Sequence, residues 1–273
     1  MSTIARAPAR SAPAVTWDVQ DGIATVVLDL KDQAVNVISR AVKDEFIGCF
    51  AALADDPSVR AVAFFSGKAE NFIAGADIEE FVRLGSAAEA ERLAADGQEM
   101  LDRVARFPKP IAVGIHGACL GGGFEFALAC HYRVATDHPK TQIGLPEVQL
   151  GILPAAGGCQ RLPRLVGKGR ALQLILSGEM ITAQEAYRIG LVNELVPAAD
   201  LIRRAEAILK KIASNAPIAV KFALEATNKG LETSQSEGSL LEASYFGLCA
   251  ATEDKKEGTT AFVEKRAAQF HGR

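Results

Sequence analysis

From Val15 onward, short apolar or β-branched runs alternate with longer segments whose apolar positions recur at helical spacing. Runs at 23–30, 60–65 and 111–115 predict strands, while 39–53 and a stretch ending at 107 predict helices, the alternation of an α/β fold. Within 39–53, Val42, Phe46, Phe50 and Leu53 share one helical face behind Ser39, a good N-cap residue. Lys109-Pro110 stops the helix before 111–115, because the residue preceding a proline avoids helical geometry. The unbroken apolar run Ile111-Ala112-Val113-Gly114-Ile115 reads as a strand covered on both faces. Another helix opens at a triple glycine, and Thr182-Ala183-Gln184-Glu185 has the spacing of a capping box, with Gly190 suited to close that element.

Beyond residue 200 the strand signal stops, and 201–213, 218–229, 239–252 and 257–270 read as helices separated by Pro217, Gly230 and Gly258. The organisation expected is a flexible tail over 1–14, a mixed α/β core over 15–200 and a helical C-terminal subdomain over 201–273. The tail is rich in Ala, Pro, Ser and Arg but carries no amphipathic stretch long enough for a presequence, which favours a cytoplasmic protein. A mitochondrial location is the alternative if the tail is the remnant of a processed presequence.

Charge and cysteine usage narrow the classes of partner. With a net charge of -3 over 273 residues, the chain has no general attraction for nucleic acid or an anionic membrane, so a polyanionic ligand needs a local basic cluster. No apolar run reaches the roughly 20 residues of a membrane span. Cys49, Cys119, Cys130, Cys159 and Cys249 are scattered and odd in number, a pattern of buried thiols in a reducing compartment rather than of disulfides or structural metal.

Three segments carry candidate chemistry: Ala74-Gly75-Ala76-Asp77, Gly121-Gly122-Gly123-Phe124-Glu125 and Leu145-Pro146-Glu147. A glycine run before a helix can be a tight connection and nothing more. Neither G-x-G-x-x-G nor a phosphate-loop lysine is present, which leaves bare N–H groups at a helix N-terminus, suited to an oxygen that becomes negative. Glu125 in a first helical turn is by itself unremarkable, as is Glu147 after a proline. Two carboxylates after turns in an apolar, charge-poor region are a different matter, because partial burial raises a carboxyl pKa towards neutrality, where it can move protons. His116, His131, His138 and His271 lack metal-ligand spacing, there is no G-x-S-x-G, and Cys119 has no histidine placed to activate it. Lys255, Lys256, Lys265 and Arg266 read from charge alone as a solvated face.

With these residues assembled, the chain resembles the enoyl-CoA hydratase (crotonase) family from about Val15 to Phe270. The segments 72–78 and 117–125 are similar to its two oxyanion-hole segments, 143–151 and 154–162 to its catalytic loop and following turn, and 257–266 to its C-terminal ending. The resemblance implies a spiral of repeated β-β-α units, assembled through the C-terminal helices into a homotrimer or a dimer of trimers. It implies that the N–H groups of Ala76 and Gly122 hold a thioester oxygen while Glu125 and Glu147 handle water and the α-proton. Ala74, Asp77 and Ile78 would contact substrate, and Phe262 and Lys265 would hold CoA, the lysine facing its phosphates. The expected reaction is reversible hydration of a trans-2-enoyl-CoA to a 3-hydroxyacyl-CoA in fatty-acid or related acyl-CoA degradation. No metal or redox cofactor is implied, and CoA belongs to the substrate. An isomerase of the same fold would need only one of the two acids in a working position, and an RNA-binding member would need a basic exposed helix. His131, Ala155 and Cys159 depart from the usual Asp, Gly and Thr, which bears on substrate preference more than on reaction type.

Overall fold

β1 (Val15–Gln20) and β2 (Ile23–Leu28) form a hairpin across Asp21-Gly22, both with positive φ, the turn whose twist matches paired strands. The structure is a computed structural model that describes residues 12–273, so most of the 1–14 stretch lies outside the described residues. Ala14 is buried, and its N–H donates to Glu45 at 2.7 Å. α1 (Arg40–Asp55) starts on Ser39, whose side chain accepts the Val42 N–H, and it buries Val42, Phe46, Phe50 and Leu53 as their spacing predicts.

Four strand pairs follow, each with one strand in each of two sheets: β3 (Ala61–Ser66) and β4 (Asn71–Ile73), β5 (Ile111–Ile115) and β6 (Ala118–Leu120), β7 (Tyr132–Thr136) and β8 (Gln142–Gly144), β9 (Met180–Thr182) and β10 (Glu194–Val196). Helices intervene: α2 (Ile78–Val82) and α3 (Ala87–Ala105) after β4, α4 (Gly122–Ala129) after β6, and α5 (Gly158–Val166) and α6 (Lys168–Ser177) after β8. α7 (Ala183–Arg188) joins β9 to β10. The larger sheet has the order β1-β2-β3-β5-β7-β10, the smaller β4-β6-β8-β9, with all pairs parallel except β1/β2 and β8/β9. This is the expected spiral of β-β-α units.

α8 (Leu201–Ala213) seals one face of the larger sheet, burying Leu201, Ala205 and Leu209 against Phe65, Ala112 and Val134. On the other face, Phe46 of α1, Phe64 of β3, Phe72 of β4 and Phe126 of α4 meet with ring centroids as close as 4.5 Å. That cluster fixes α4 between the two sheets. α9 (Pro217–Gly230), α10 (Gln235–Ala250) and α11 (Glu253–Glu264) complete the chain, and neither α9 nor α10 has a buried residue.

The structure corrects several local expectations. The stretch ending at 107 is two helices separated by a turn, preceded by the three-residue strand β4, too short to show a period of two. At Thr182 only half of the capping box forms: its side chain accepts the Glu185 N–H, but the Glu185 carboxylate is taken by Arg188. A complete box, Ser234 with Glu237, starts α10 four residues before the expected position. α11 runs from Thr252 through Gly258 and stops at Lys265, which has φ +54, instead of continuing to 270. The tail folds back there, with Glu257 taking Arg266 and the Gln269 N–H, and Asp254 taking the N–H groups of His271 and Gly272. His131 proves to be a packing residue: Nδ1 accepts the Ile111 N–H at 2.9 Å and Nε2 pairs with the Ala105 carbonyl at 3.1 Å. Burial lowers its pKa, favouring the neutral ring that this acceptor role requires.

Candidate active site

β4, β6 and β8 lie side by side and parallel, so the segments leaving their C-terminal ends emerge at one edge of the smaller sheet. Those segments are residues 74–77, the glycine turn with Glu125, and Leu145-Pro146-Glu147. Crevices beyond the carboxyl ends of parallel strands are where α/β sheets build sites. The structure therefore brings together the three segments that sequence spacing alone leaves separate.

The three glycines have different reasons to be there. Gly121 has φ +51, and a Cβ on it would sit 3.0 Å from Glu147 Oε1. Gly122 starts α4, where the first N–H has no intrahelical acceptor, and a Cβ on it would stand 3.4 Å from the Ala76 nitrogen. Gly123 abuts Ile73 so closely that a Cβ would lie 2.4 Å from the Ile73 carbonyl oxygen. The Ala76 and Gly122 N–H groups are thus neighbours, and among the described residues no acceptor takes the Ala76 N–H. Partial positive charge at the α4 N-terminus adds to them.

A buried asparagine, not singled out from the sequence, sets the Ala76 segment. Asn36 Nδ2 donates to the Leu28 carbonyl and to Ser66 Oγ, both at 2.8 Å, and Oδ1 accepts the Leu30 N–H. Its own carbonyl accepts the Ala74 N–H, and Ile38 bridges Ala76 in parallel. The only signal in the sequence is an amide inside the apolar run Val35-Asn36-Val37-Ile38. Asp77 caps α2 by accepting the Glu79 N–H at 3.0 Å, Ala74 is half-buried, and Ile78 is exposed beside the segment.

Glu125 is 3% exposed, and its Oε1 accepts the N–H groups of Ala156 and Gly158, each at 2.8 Å. Burial raises its pKa, while these two donors and the Arg161 guanidinium pull the other way. Glu147 is half-buried on the 3₁₀ turn Pro146–Leu150, and its Oε2 is shut from solvent with no hydrogen-bond partner. Burial, followed by the like charge of Glu125, pushes it up to about 7. Cys159, flanked by the two acids, has its thiol pushed up by burial first and then by both carboxylates. Two coupled carboxyls that can share one proton, beside a pair of free N–H groups, can add and remove a proton next to a carbonyl.

Phe262 and Lys265 are not gathered into this cluster. Phe262 projects from α11 with 85% exposure, Lys265 is exposed, and no hydrogen bond or ion pair among the described residues joins either to Glu125, Glu147, Ala76 or Gly122. Among those residues, too, no group of three His, Cys, Asp or Glu side chains could hold a metal ion.

Comparison with known proteins agrees with this geometry. A family model described as enoyl-CoA hydratase/isomerase matches residues 18–273. A crotonyl-CoA hydratase of Syntrophomonas wolfei is 41% identical over 240 residues, 88% of this chain and 91% of that protein. A probable enoyl-CoA hydratase of Bacillus subtilis is 43% identical over 248 residues, 90% of this chain and 95% of its own length. The crystal structure of an enoyl-CoA hydratase from Bacillus anthracis superposes with a TM-score of 0.89 at 34% identity, covering 96% of this chain and all of that one. A fold, a site at the ends of β4, β6 and β8, and relatives matched over nearly their whole length all lead to one assignment: the chain belongs to the enoyl-CoA hydratase/isomerase family.

Proposed function

We propose that this chain is an enoyl-CoA hydratase that adds water reversibly across a short or medium trans-2-enoyl-CoA to give the 3-hydroxyacyl-CoA. The observation that carries the reading is the convergence of two unused N–H groups and two coupled carboxyls at one sheet edge. In the proposed reaction the thioester oxygen sits between the Ala76 and Gly122 N–H groups, which stabilise the negative charge that develops there. Glu125, held by Ala156 and Gly158, orients water and takes its proton as the oxygen bonds to Cβ. Glu147 enters protonated and gives that proton to Cα. O–Cβ, Cα–H and Glu125 O–H bonds form as the C=C π bond, one water O–H bond and the Glu147 O–H bond break, and the proton left on Glu125 returns to Glu147 before the next turnover, so no net proton is consumed and no metal or redox cofactor is needed; CoA enters with the substrate. A short acyl chain is supported by the relative named for crotonyl-CoA. Incubation with a series of enoyl-CoA thioesters should remove the conjugated-enone absorbance and yield 3-hydroxyacyl-CoA by mass. Isomerisation of a 3-enoyl-CoA with no hydration of any thioester would overturn the reading in favour of an isomerase.

The proposal extends to assembly, location and CoA. Leu240, Phe246, Leu248, Phe262 and Val263 expose apolar surface on α10 and α11, which supports a homotrimer or dimer of trimers formed through the C-terminal helices. A cytoplasmic location in acyl-CoA degradation is supported by five free cysteines and by bacterial relatives. Lys265 is proposed to face the CoA phosphates from the end of α11, so Lys265→Ala should raise KM for the CoA thioester and leave kcat within about threefold, as loss of uniform binding does. The effect should shrink with added salt, and a pantetheine thioester, which lacks the nucleotide phosphates, should not register it. Equal losses for both thioesters would remove the phosphate role.

A further inference from the structure

α3 packs against the turn that supplies both hydrogen bonds to Glu125, and the contact is polar and specific. Gln98 Nε2 donates to the Ala155 carbonyl at 2.8 Å. Gly97 leaves room for Ala156, whose Cβ would be 3.4 Å from a Cβ placed on that glycine. One turn on, Asp102 pairs with Arg161 Nη2 at 2.5 Å, and Arg161 Nη1 reaches back to the Ala156 carbonyl at 3.0 Å. The Arg161 side chain is 19% exposed, and Gly157, with φ +114, leaves the space it fills: a Cβ there would fall 2.1 Å from Nη1. The Ala156 peptide is thereby held from both ends, its carbonyl by Arg161 and its N–H by Glu125.

We propose that Arg161 is a positioning residue, tied to Asp102 of α3, that sets the Ala156 and Gly158 N–H groups at the geometry in which they hold the Glu125 carboxylate. The planar guanidinium suits this because two of its nitrogens point to two partners at a fixed angle, which a single ammonium cannot reproduce. A second consequence is electrostatic: the guanidinium favours the ionised form of Glu125. The charged and titratable groups around Glu125 are Glu147 on the 3₁₀ turn, Cys159 and Arg161 on α5, and Asp102 on α3 behind Arg161. The inference rests on the proposed hydration for its kinetic arm only.

The test compares full-length wild type with Arg161→Met, Arg161→Lys and Asp102→Asn, each first shown to fold by circular dichroism. Without substrate, amide hydrogen exchange at Ala156 and Gly158 should speed up by on the order of tenfold in Arg161→Met while α4 stays protected. With a trans-2-enoyl-CoA, kcat of Arg161→Met should fall by roughly 10–100-fold, the scale of a misplaced catalytic group, with KM within about threefold. Its pH profile should move to higher pH because a positive charge beside Glu125 is gone. Arg161→Lys keeps the charge and should hold the profile in place while recovering only part of kcat. Asp102→Asn leaves the Arg161 charge and should not move the profile upward. A wild type that hydrates nothing would sink the functional reading, yet the exchange data would still decide the clamp. Unchanged exchange at Ala156 and Gly158 in Arg161→Met, or a pH profile that does not move, would overturn it.

Discussion

Glu147→Gln and Glu125→Gln are each expected to lower kcat for hydration by about 10²–10⁴-fold with the fold intact, the usual contribution of a positioned acid or base. Glutamine preserves shape, so the loss would report proton transfer. For Glu147 the argument is its orphaned Oε2: a buried carboxyl oxygen without a partner is costly unless it carries a proton or meets a substrate. For Glu125 it is the two donors on Oε1, which fix the carboxylate in place. The double substitution should cost about as much as the worse single one, because the two act as a unit. The pair also sets a pH dependence. Hydration consumes no net proton, so the working enzyme must carry one proton on the pair in both directions. Glu147 reaches about 7, raised first by burial and then by the charge of Glu125. A raised carboxyl pKa means the proton is held at lower pH and lost as pH climbs through that value, so activity should decline as pH rises through about 7. Near-normal turnover in either single variant would remove that residue from the mechanism, and a kcat/KM that does not fall as pH rises through about 7 would remove the proton held by Glu147.

Gly123→Ala is expected to lower stability by about 3 kcal/mol or more, the upper part of the range for overpacking a buried position. In a protein of this size that corresponds to a Tm lower by on the order of 6–12 °C. The added methyl would meet the Ile73 carbonyl oxygen at 2.4 Å and the Ile73 Cβ at 2.6 Å, so relief requires β4 to move away from α4. The same movement separates the Ala76 segment, which leaves β4, from the Gly122 N–H at the start of α4. Activity should therefore fall in whatever fraction remains folded. Gly122→Ala is the informative contrast, since its methyl would stand 3.4 Å or more from every neighbour. That variant should keep most of its stability and lose rate through crowding beside the N–H pair. A Gly123→Ala protein with wild-type Tm and kcat would show that close packing of α4 on β4 is not what holds the site together.

Long or strongly patterned elements were legible from residue order, because burial repeats at the period of the element. Strand Ile111–Ile115 matches its apolar run, and α1 follows Ser39 with Val42, Phe46, Phe50 and Leu53 facing inward. The three-residue strands β4, β6 and β8 left no such trace, although their adjacency builds the site. Short elements hold too few residues to show a period, and their pairing depends on segments tens of residues away. The bounds of α11 differ from the expected 257–270 for a related reason: Thr252 caps it before Gly258, and Lys265, at φ +54, ends it where the tail folds back on Glu257. In the candidate site, residue order supplied the chemical parts, a glycine turn at a helix start and two acids in apolar surroundings. Only the tertiary structure decided that those acids share a field, that Gly123 is demanded by Ile73, and that Asn36, Gln98, Asp102 and Arg161 brace the donors. Local conformational preference and the burial period are written in neighbouring residues, whereas pKa coupling, close approach and bracing depend on distances that exist only once remote segments have packed.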